Sequence, residues 1–307
     1  MKIYLLTCLG FFIANIIYAQ QEAHFTQYMF NPNAINPAYT GSRQSLSILA
    51  LSRKQWVGFE GAPVTHHLNI NSPFLNDELG AGLTVMNDKI GPIQQSGLHG
   101  DIVYRLKLEK SFLAFGIKAG INLLQGSFAN LKIINNQDQN FQNNLPSKIL
   151  PNFGFGIYYH SDKYFIGASA PRLVKNSVDI QTGSSNLMQI TVQNLHYYLI
   201  AGYIFNINHF LKFKPTSLVK ITEGAPPSVD ISANFLFHEK LWLGAMYRSG
   251  DAVASILTLQ LTDQLRAGYS YDYTISKLRR YNSGSHEIMI GYDFKYKKAK
   301  IKSPRYF

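Results

Sequence analysis

The stretch Leu265-Arg266-Ala267-Gly268-Tyr269-Ser270-Tyr271-Asp272-Tyr273-Thr274 decides the fold. Side chains along an extended chain point alternately to opposite sides, so Leu265, Ala267 and the three tyrosines share one face. Arg266, Gly268, Ser270, Asp272 and Thr274 share the other, which is small and polar. In a soluble β-sandwich the apolar rows turn inward and the charged residues outward. Here the bulky apolar face reads as the outer one, and rows of Tyr, Phe and Leu exposed to water would aggregate. A wall with lipid outside and a polar lumen inside fits both faces.

Working outward, the same division recurs. Leu113, Phe115, Ile117, Ala119, Ile121 and Leu123 oppose Gly116, Lys118, Gly120 and Asn122. Leu98, Ile102, Tyr104, Leu106 and Leu108 oppose His99, Asp101, Arg105 and Lys107, and Val229, Ile231, Ala233, Phe235 and Phe237 oppose Ser228, Asp230, Ser232 and Asn234. Such segments begin near residues 44, 65, 79, 97, 111, 152, 163, 195, 211, 228, 241, 253, 264 and 285. They predict an all-β transmembrane outer-membrane barrel of about 14 antiparallel strands, an even number as single-chain bacterial barrels require. After residue 19 no apolar run approaches the roughly 20 residues of a membrane helix. A chain that crosses lipid without helices must close its strands into a barrel, because lipid supplies no partner for an open sheet edge.

Composition agrees. The chain is 46% hydrophobic but only 15% charged, with 19 Tyr and 20 Phe, whereas soluble domains carry roughly 25% charge. Aromatic residues settle at the two membrane interfaces. Lys2, the apolar run from Ile3 to Ile17 and the small Ala19 read as a cleavable export signal over 1–19, with the mature chain starting near Gln20. An anchoring helix is the alternative, but the run is short for a core of about 30 Å. Cys8, the single cysteine, lies inside that signal, so the mature form excludes disulfides, zinc–cysteine sites and cysteine nucleophiles.

The expected organisation is a signal over 1–19, a turn-rich candidate luminal segment over 20–43, a barrel over 44–296 and a basic tail over 297–307. Asn31-Pro32-Asn33 and Asn36-Pro37-Ala38-Tyr39 mark the turns of the second segment. The Asn-, Gln- and Ser-rich stretches 131–151 and 171–194 are expected to be long extracellular loops. Without Lys2 the 29 basic residues become 28 against 18 acidic ones, a net charge of +10. The basic residues are scattered or terminal and no basic-aromatic module recurs, which argues against nucleic acid. Anionic outer-membrane lipid or an acidic partner suits an exported basic barrel.

No catalytic, cofactor or metal site emerges. No His-Glu-x-x-His spacing occurs among the nine histidines, and the neighbours His66 and His67 point to opposite faces of a strand. Ser285-His286-Glu287 cannot converge on one site for the same reason. Gly167-Ala168-Ser169-Ala170-Pro171 lacks the second glycine of a nucleophile elbow. Gly80-Ala81-Gly82 and Gly154-Phe155-Gly156 have no helix N-terminus after them and suit a crowded lumen better than a phosphate loop. The reading is therefore of a non-enzyme.

Specific strings then matter. Phe25-Thr26-Gln27-Tyr28-Met29-Phe30-Asn31-Pro32, Ile35-Asn36-Pro37-Ala38-Tyr39-Thr40-Gly41-Ser42-Arg43, Gln55-Trp56-Val57-Gly58-Phe59-Glu60-Gly61-Ala62-Pro63 and Asn87-Asp88-Lys89-Ile90-Gly91-Pro92 are four of them. Pro151-Asn152-Phe153-Gly154-Phe155-Gly156, Leu241-Trp242-Leu243-Gly244-Ala245 and Tyr281-Asn282-Ser283-Gly284-Ser285-His286-Glu287-Ile288-Met289 extend the match. On these the chain resembles the PorP/SprF family of type IX secretion system outer-membrane proteins along nearly the whole mature length. The resemblance implies a barrel without known catalysis that serves gliding motility or protein secretion through partners. Those partners are a secreted adhesin, its C-terminal sorting domain, or periplasmic type IX components. It also marks Gly291, Phe294 and Tyr296 as a terminal-strand insertion signal.

Within the matching strings, Arg43, Trp56, Phe59, Asn87 and Asp88 are the candidate partner-binding positions. Each also has a structural reading: Trp56 and Phe59 close a turn at an interface belt, Asn87 and Asp88 form a tight turn with Gly91, and Arg43 and Arg53 pair with lumen acids such as Asp101. The alternative function is an outer-membrane channel for small solutes, and lumen width discriminates the two.

Overall fold

The computed structural model describes residues 23–75, 77–128, 145–182 and 186–294. The expected signal over 1–19, Cys8, the tail over 297–307 and the stretch 131–144 lie outside these residues.

Alternating sequence becomes strand after strand. In chain order they are β1 (Ser47–Lys54), β2 (Val64–Phe74), β3 (Leu79–Ile90), β4 (Ile93–Lys107), β5 (Ser111–Gly126) and β6 (Leu145–Ser161). There follow β7 (Tyr164–Arg172), β8 (Asn176–Thr182), β9 (Asn186–Gln193), β10 (His196–Tyr203), the two-residue β11 (Phe205–Asn206) and β12 (Leu211–Thr222). The last five are β13 (Ser228–Phe237), β14 (Leu241–Arg248), β15 (Ala252–Gln260), β16 (Leu265–Thr274) and β17 (Ser285–Asp293). Sequential neighbours pair antiparallel, β7 passes to β10, and β10 passes to β12. The ring closes where β1 pairs with β17 in register from Ser47 opposite Asp293 to Lys54 opposite His286. Fourteen strands make the barrel, as the alternation predicts, and β8 pairs only with β9 in a separate hairpin.

The two faces sort as the sequence requires. Ile117 is 58% exposed on the outer wall while its lumen-facing neighbour Lys118 is 7% exposed. Outward Ile231 and inward Asp230 divide in the same way at 57% and 0%. In β4, Leu98, Ile102 and Tyr104 face out, and His99, Asp101 and Arg105 face in.

Two rims follow from the connections. The lower rim carries the short links 75–78, 108–110, 162–163, 238–240 and 261–264, together with the start of β1 and the end of β17. The upper rim carries 55–63, 91–92, 223–227, 249–251 and 275–284 together with the β8–β9 hairpin, and so the longest of the described links. Bacterial barrels keep short turns on the periplasmic side and long loops outside, so the upper rim is the extracellular one. The loop expectation needs correction at its edges. Residues 145–151 continue β6, whose pairing with β5 extends to Leu145 opposite Gly126. Residues 171 and 172 end β7, and much of 173–194 is the β8–β9 hairpin. In both places a short apolar-polar alternation is embedded in Asn, Ser and Gln, which hid it.

Residues 24–43 fold into the lumen. Every one of them is buried except Ala34 and Ser42, which are partly so. Two 3-10 turns, Pro32–Ala34 and Pro37–Tyr39, shape the segment, each with proline at its start where a missing N–H costs nothing. Asn36 caps the second: its side-chain oxygen accepts from Ala38 N at 2.9 Å while its Nδ2 donates to Ile157 O on the wall at 3.0 Å.

Glycine makes room for this turn. A Cβ built on Gly116 of β5 would lie 2.5 Å from Ala38 N and 2.6 Å from Ala38 Cα, a clash with backbone that no rotamer relieves. We therefore expect Gly116→Val to displace the 36–40 turn and lower the urea midpoint of the detergent-folded barrel. Overpacking costs typically about 1–3 kcal/mol. An unchanged midpoint would show that the segment is not held against β5.

Candidate functional site

Three anchors hold the luminal segment. The first lies under the upper rim. Arg53 of β1 points inward, where an unpaired guanidinium would be prohibitively costly. Its Nη2 sits 2.7 Å from Asp272 Oδ2 of β16 and its Nη1 sits 3.2 Å from Glu287 Oε2 of β17. Thr26 completes the set: its Oγ1 accepts from Arg53 Nη1 at 2.8 Å and donates to Asp272 at 2.8 Å. Its backbone N–H donates to Glu287 Oε2 at 2.9 Å, and that of Gln27 to Oε1 at 2.8 Å. Arg248 extends the network to Asp230 at 3.3 Å and Asp272 at 3.4 Å, and Lys220 joins Asp230 at 2.9 Å. Lys220 also lies 3.3 Å from His24 Nδ1 and Arg248 Nη2 lies 3.5 Å from Phe25 O, so five wall strands, β1, β12, β14, β16 and β17, grip residues 24–27.

The second anchor is lower. Lys214 of β12 donates to Met29 O at 3.2 Å, and its ammonium lies over the rings of Phe30, Trp242 and Phe165 at 5.2, 5.5 and 5.7 Å. Cation–π contact offsets its burial. The third closes the lower mouth, where Arg43 meets Asp293 at 3.0 Å and Arg266 meets the same carboxylate at 3.3 Å.

The five sequence-predicted positions do not form one site. Trp56, Phe59, Asn87 and Asp88 gather at the upper rim, where loop 55–63 is tied to the β3–β4 turn by Gly91 N donating to Gly61 O at 2.8 Å. Phe59 is 46% exposed there, and Trp56 sits at φ +45° with its N–H donating to Ser285 Oγ at 3.0 Å. Asn87 Nδ2 donates to Ser96 Oγ at 2.7 Å, and Asp88 is buried, accepting from Thr65 Oγ1 at 2.6 Å. Both belong to β3, and only Gly91 occupies the turn, at φ +55°. Arg43 is buried at the opposite mouth.

The acid proposed for the lumen arginines is also different. Asp101 faces Lys118 directly across β4 and β5 at 3.6 Å, whereas Arg53 faces Glu287 across the β1–β17 seam. The neighbour in register wins over an acid three strands away. Sequence reading missed Thr26, Lys214, Asp272 and Glu287 as anchors. Alternation places Asp272 inward, but it does not give the partners, which lie up to 261 residues away.

The sequence matches the family described as type IX secretion system membrane protein PorP/SprF over residues 17–292. The chain belongs to that family. As a PorP/SprF protein it is an outer-membrane component of type IX secretion built on a β-barrel. No curated protein matches its sequence. Among solved structures, the CymD monoaromatic hydrocarbon channel is 10% identical, with 91% of this chain and 95% of that one covered at a TM-score of 0.51. Omp33 of Acinetobacter baumannii is 8% identical with coverage of 82% and 100% at a TM-score of 0.46. A Pseudomonas aeruginosa FadL homologue is 12% identical with coverage of 90% and 95% at a TM-score of 0.45. At such identities CymD shows a shared outer-membrane barrel fold and no shared cargo.

Arg53→Ala in this PorP/SprF barrel removes the cation between two buried carboxylates. Breaking one partner of a buried ion pair costs about 3–5 kcal/mol. The expected outcome is a urea transition at markedly lower denaturant, partly restored in R53A/E287Q. A midpoint equal to that of the parent would mean the network carries no stability.

Proposed function

We propose that this PorP/SprF protein is a closed docking barrel that binds a type IX partner at its surface and anchors it or assists its export. The partner class is a large secreted adhesin or its C-terminal sorting domain, with periplasmic type IX components meeting the lower rim. Recognition, not turnover, is the mechanism.

The observation that carries this reading is the filled lumen. Side chains from five strands bind residues 24–27, the 36–40 turn rests on wall glycines, and Arg43 and Arg266 share Asp293 below. A solute channel needs a cleared path. The exposed chemistry instead lies on the upper loop 55–63, where Phe59 is exposed and Trp56 half-buried, next to the end of β3, where the half-buried Asn87 precedes the buried Asp88. Aromatic side chains in such a setting are the usual anchors of a protein interface. A role in export implies that the signal over 1–19 is cleaved and the mature chain resides in the outer membrane, and attachment of a surface adhesin accommodates gliding as well as secretion.

Affinity capture of the tagged protein from solubilised outer membranes, followed by mass spectrometry, tests this directly. We expect one very large secreted protein or periplasmic type IX components to be retained, and retention to fall at least tenfold in W56A/F59A. Planar-bilayer recordings of the pure barrel should show no steady conductance. Capture of the barrel alone together with a stable ohmic conductance would replace the docking reading with the channel one.

A further inference from the structure

On the outer wall near the upper rim, strand register places one row of outward side chains side by side: Tyr271, His286, Lys54, Val64, Lys89 and Gln94 on β16, β17 and β1 to β4. Lys54 and Lys89 are exposed and two strands apart, roughly 10 Å at ordinary strand spacing. Arg279, from the 3-10 turn Lys277–Tyr281, lies with its guanidinium 4.8 Å from the Tyr273 ring and so adds a third cation to the same arc. The wall carboxylates here, Asp88, Asp272 and Glu287, all point into the lumen, where they are bonded to Thr65 and Arg53. In the adjoining loop Glu60 is exposed. Elsewhere on the rim Lys175 is matched by Glu223 at 2.9 Å. Among the described residues none of these three cations makes an ion pair, so the arc is a cationic band with the exposed Glu60 as its one neighbouring acid.

Below it polarity falls in steps. The next row holds Ser52 and His66, hydrogen-bonded at 3.1 Å, and Asn87, whose amide donates to Ser96 at 2.7 Å. Below that the wall is apolar and dented. Ala50 and Ser52 are too short to fill the space between Leu68 and Val85 on one side and Ile288 and Ile290 on the other, which leaves a groove of about 390 Å³. That volume falls within the range of small-ligand sites, roughly 300–1,000 Å³. Cations at the headgroup level, hydrogen-bonding groups at the ester level and an apolar trough beneath match one occupant, an acylated sugar phosphate of the outer leaflet.

We propose that this face of β17, β1, β2 and β3 is a binding site for phosphorylated outer-leaflet glycolipid. Lys54, Lys89 and Arg279 hold its phosphate, and one acyl chain lies in the groove over Ala50. The proposal goes beyond the docking reading: it concerns the lipid-facing wall, with Arg279 reaching it from the rim, and its test reads lipid retention and not partner capture.

The test uses the full-length barrel purified in detergent and stripped of lipid, with retention measured by native mass spectrometry. The probes are diphosphoryl lipid A, its dephosphorylated form, phosphatidylethanolamine and inorganic phosphate. We expect diphosphoryl lipid A to bind at least tenfold more tightly than the dephosphorylated form, since each basic residue near an anionic surface contributes roughly fivefold. K54A/K89A should lose that preference. Ala50→Phe, which fills the groove from outside, should reduce lipid A retention while the circular dichroism spectrum and heat-modifiable gel mobility stay those of the parent. Equal binding of both lipid A forms would show ordinary annular lipid. Saturation by inorganic phosphate alone would show a bare anion site, and undiminished preference in K54A/K89A would remove these lysines from recognition; any of the three overturns the proposal.

Discussion

A guanidinium enclosed in a barrel lumen has no bulk water to solvate it, and Arg53 shows how much structure that one requirement organises. Its two carboxylates come from the last two strands of the chain, and the hydroxyl between them comes from the segment before the first. The contact therefore ties the β1–β17 seam to the luminal segment. Neither Asp272 nor Glu287 is tolerable in the lumen without a cation, and a cation there is intolerable without them. Arg248, Lys220 and Asp230 repeat the logic around the ring, so the charges form a chain of mutual dependence.

Much of this was legible beforehand, and the reason is geometric. Barrel strands have period two on both sides, so a sequence such as Leu265 to Thr274 declares its faces without reference to anything distant. Strand number, the small polar lumen and the all-β class all follow from local alternation. What alternation does not carry is which residues meet. Arg53 and Glu287 are 234 residues apart, and nothing near either one announces the other. Arg43 illustrates the cost: the sequence suggests a lumen acid such as Asp101 as its partner, yet its carboxylate is Asp293 at the lower mouth. Asn87 and Asp88 looked like a turn because Gly91 and Pro92 follow them, but strand pairing with β2 and β4 runs on through both.

The filling of the lumen also explains the distribution of small residues along the wall. Gly116 and Gly156 lie opposite the Asn36-Pro37-Ala38 turn, where a Cβ on Gly156 would fall 2.1 Å from Asn36 Oδ1. In a wide solvated lumen these positions would tolerate larger side chains. Their size is set by an internal ligand, the chain's own N-terminal segment, in the same way that a binding pocket is set by its occupant.

Closure and filling are consequently coupled in time as well as in space. The seam joins residues 47–54 to 286–293, the longest separation in the sheet, and such closures bear the greatest entropic cost. Before β16 and β17 are in place, Thr26 and Gln27 have no carboxylates to receive their N–H groups, and Arg53 has no counter-charge. The anchor under the upper rim forms only when the ring does, and once formed it opposes reopening of the seam and withdrawal of the segment alike. The wall and the segment inside it are therefore held by one set of charges, and neither is released without the other.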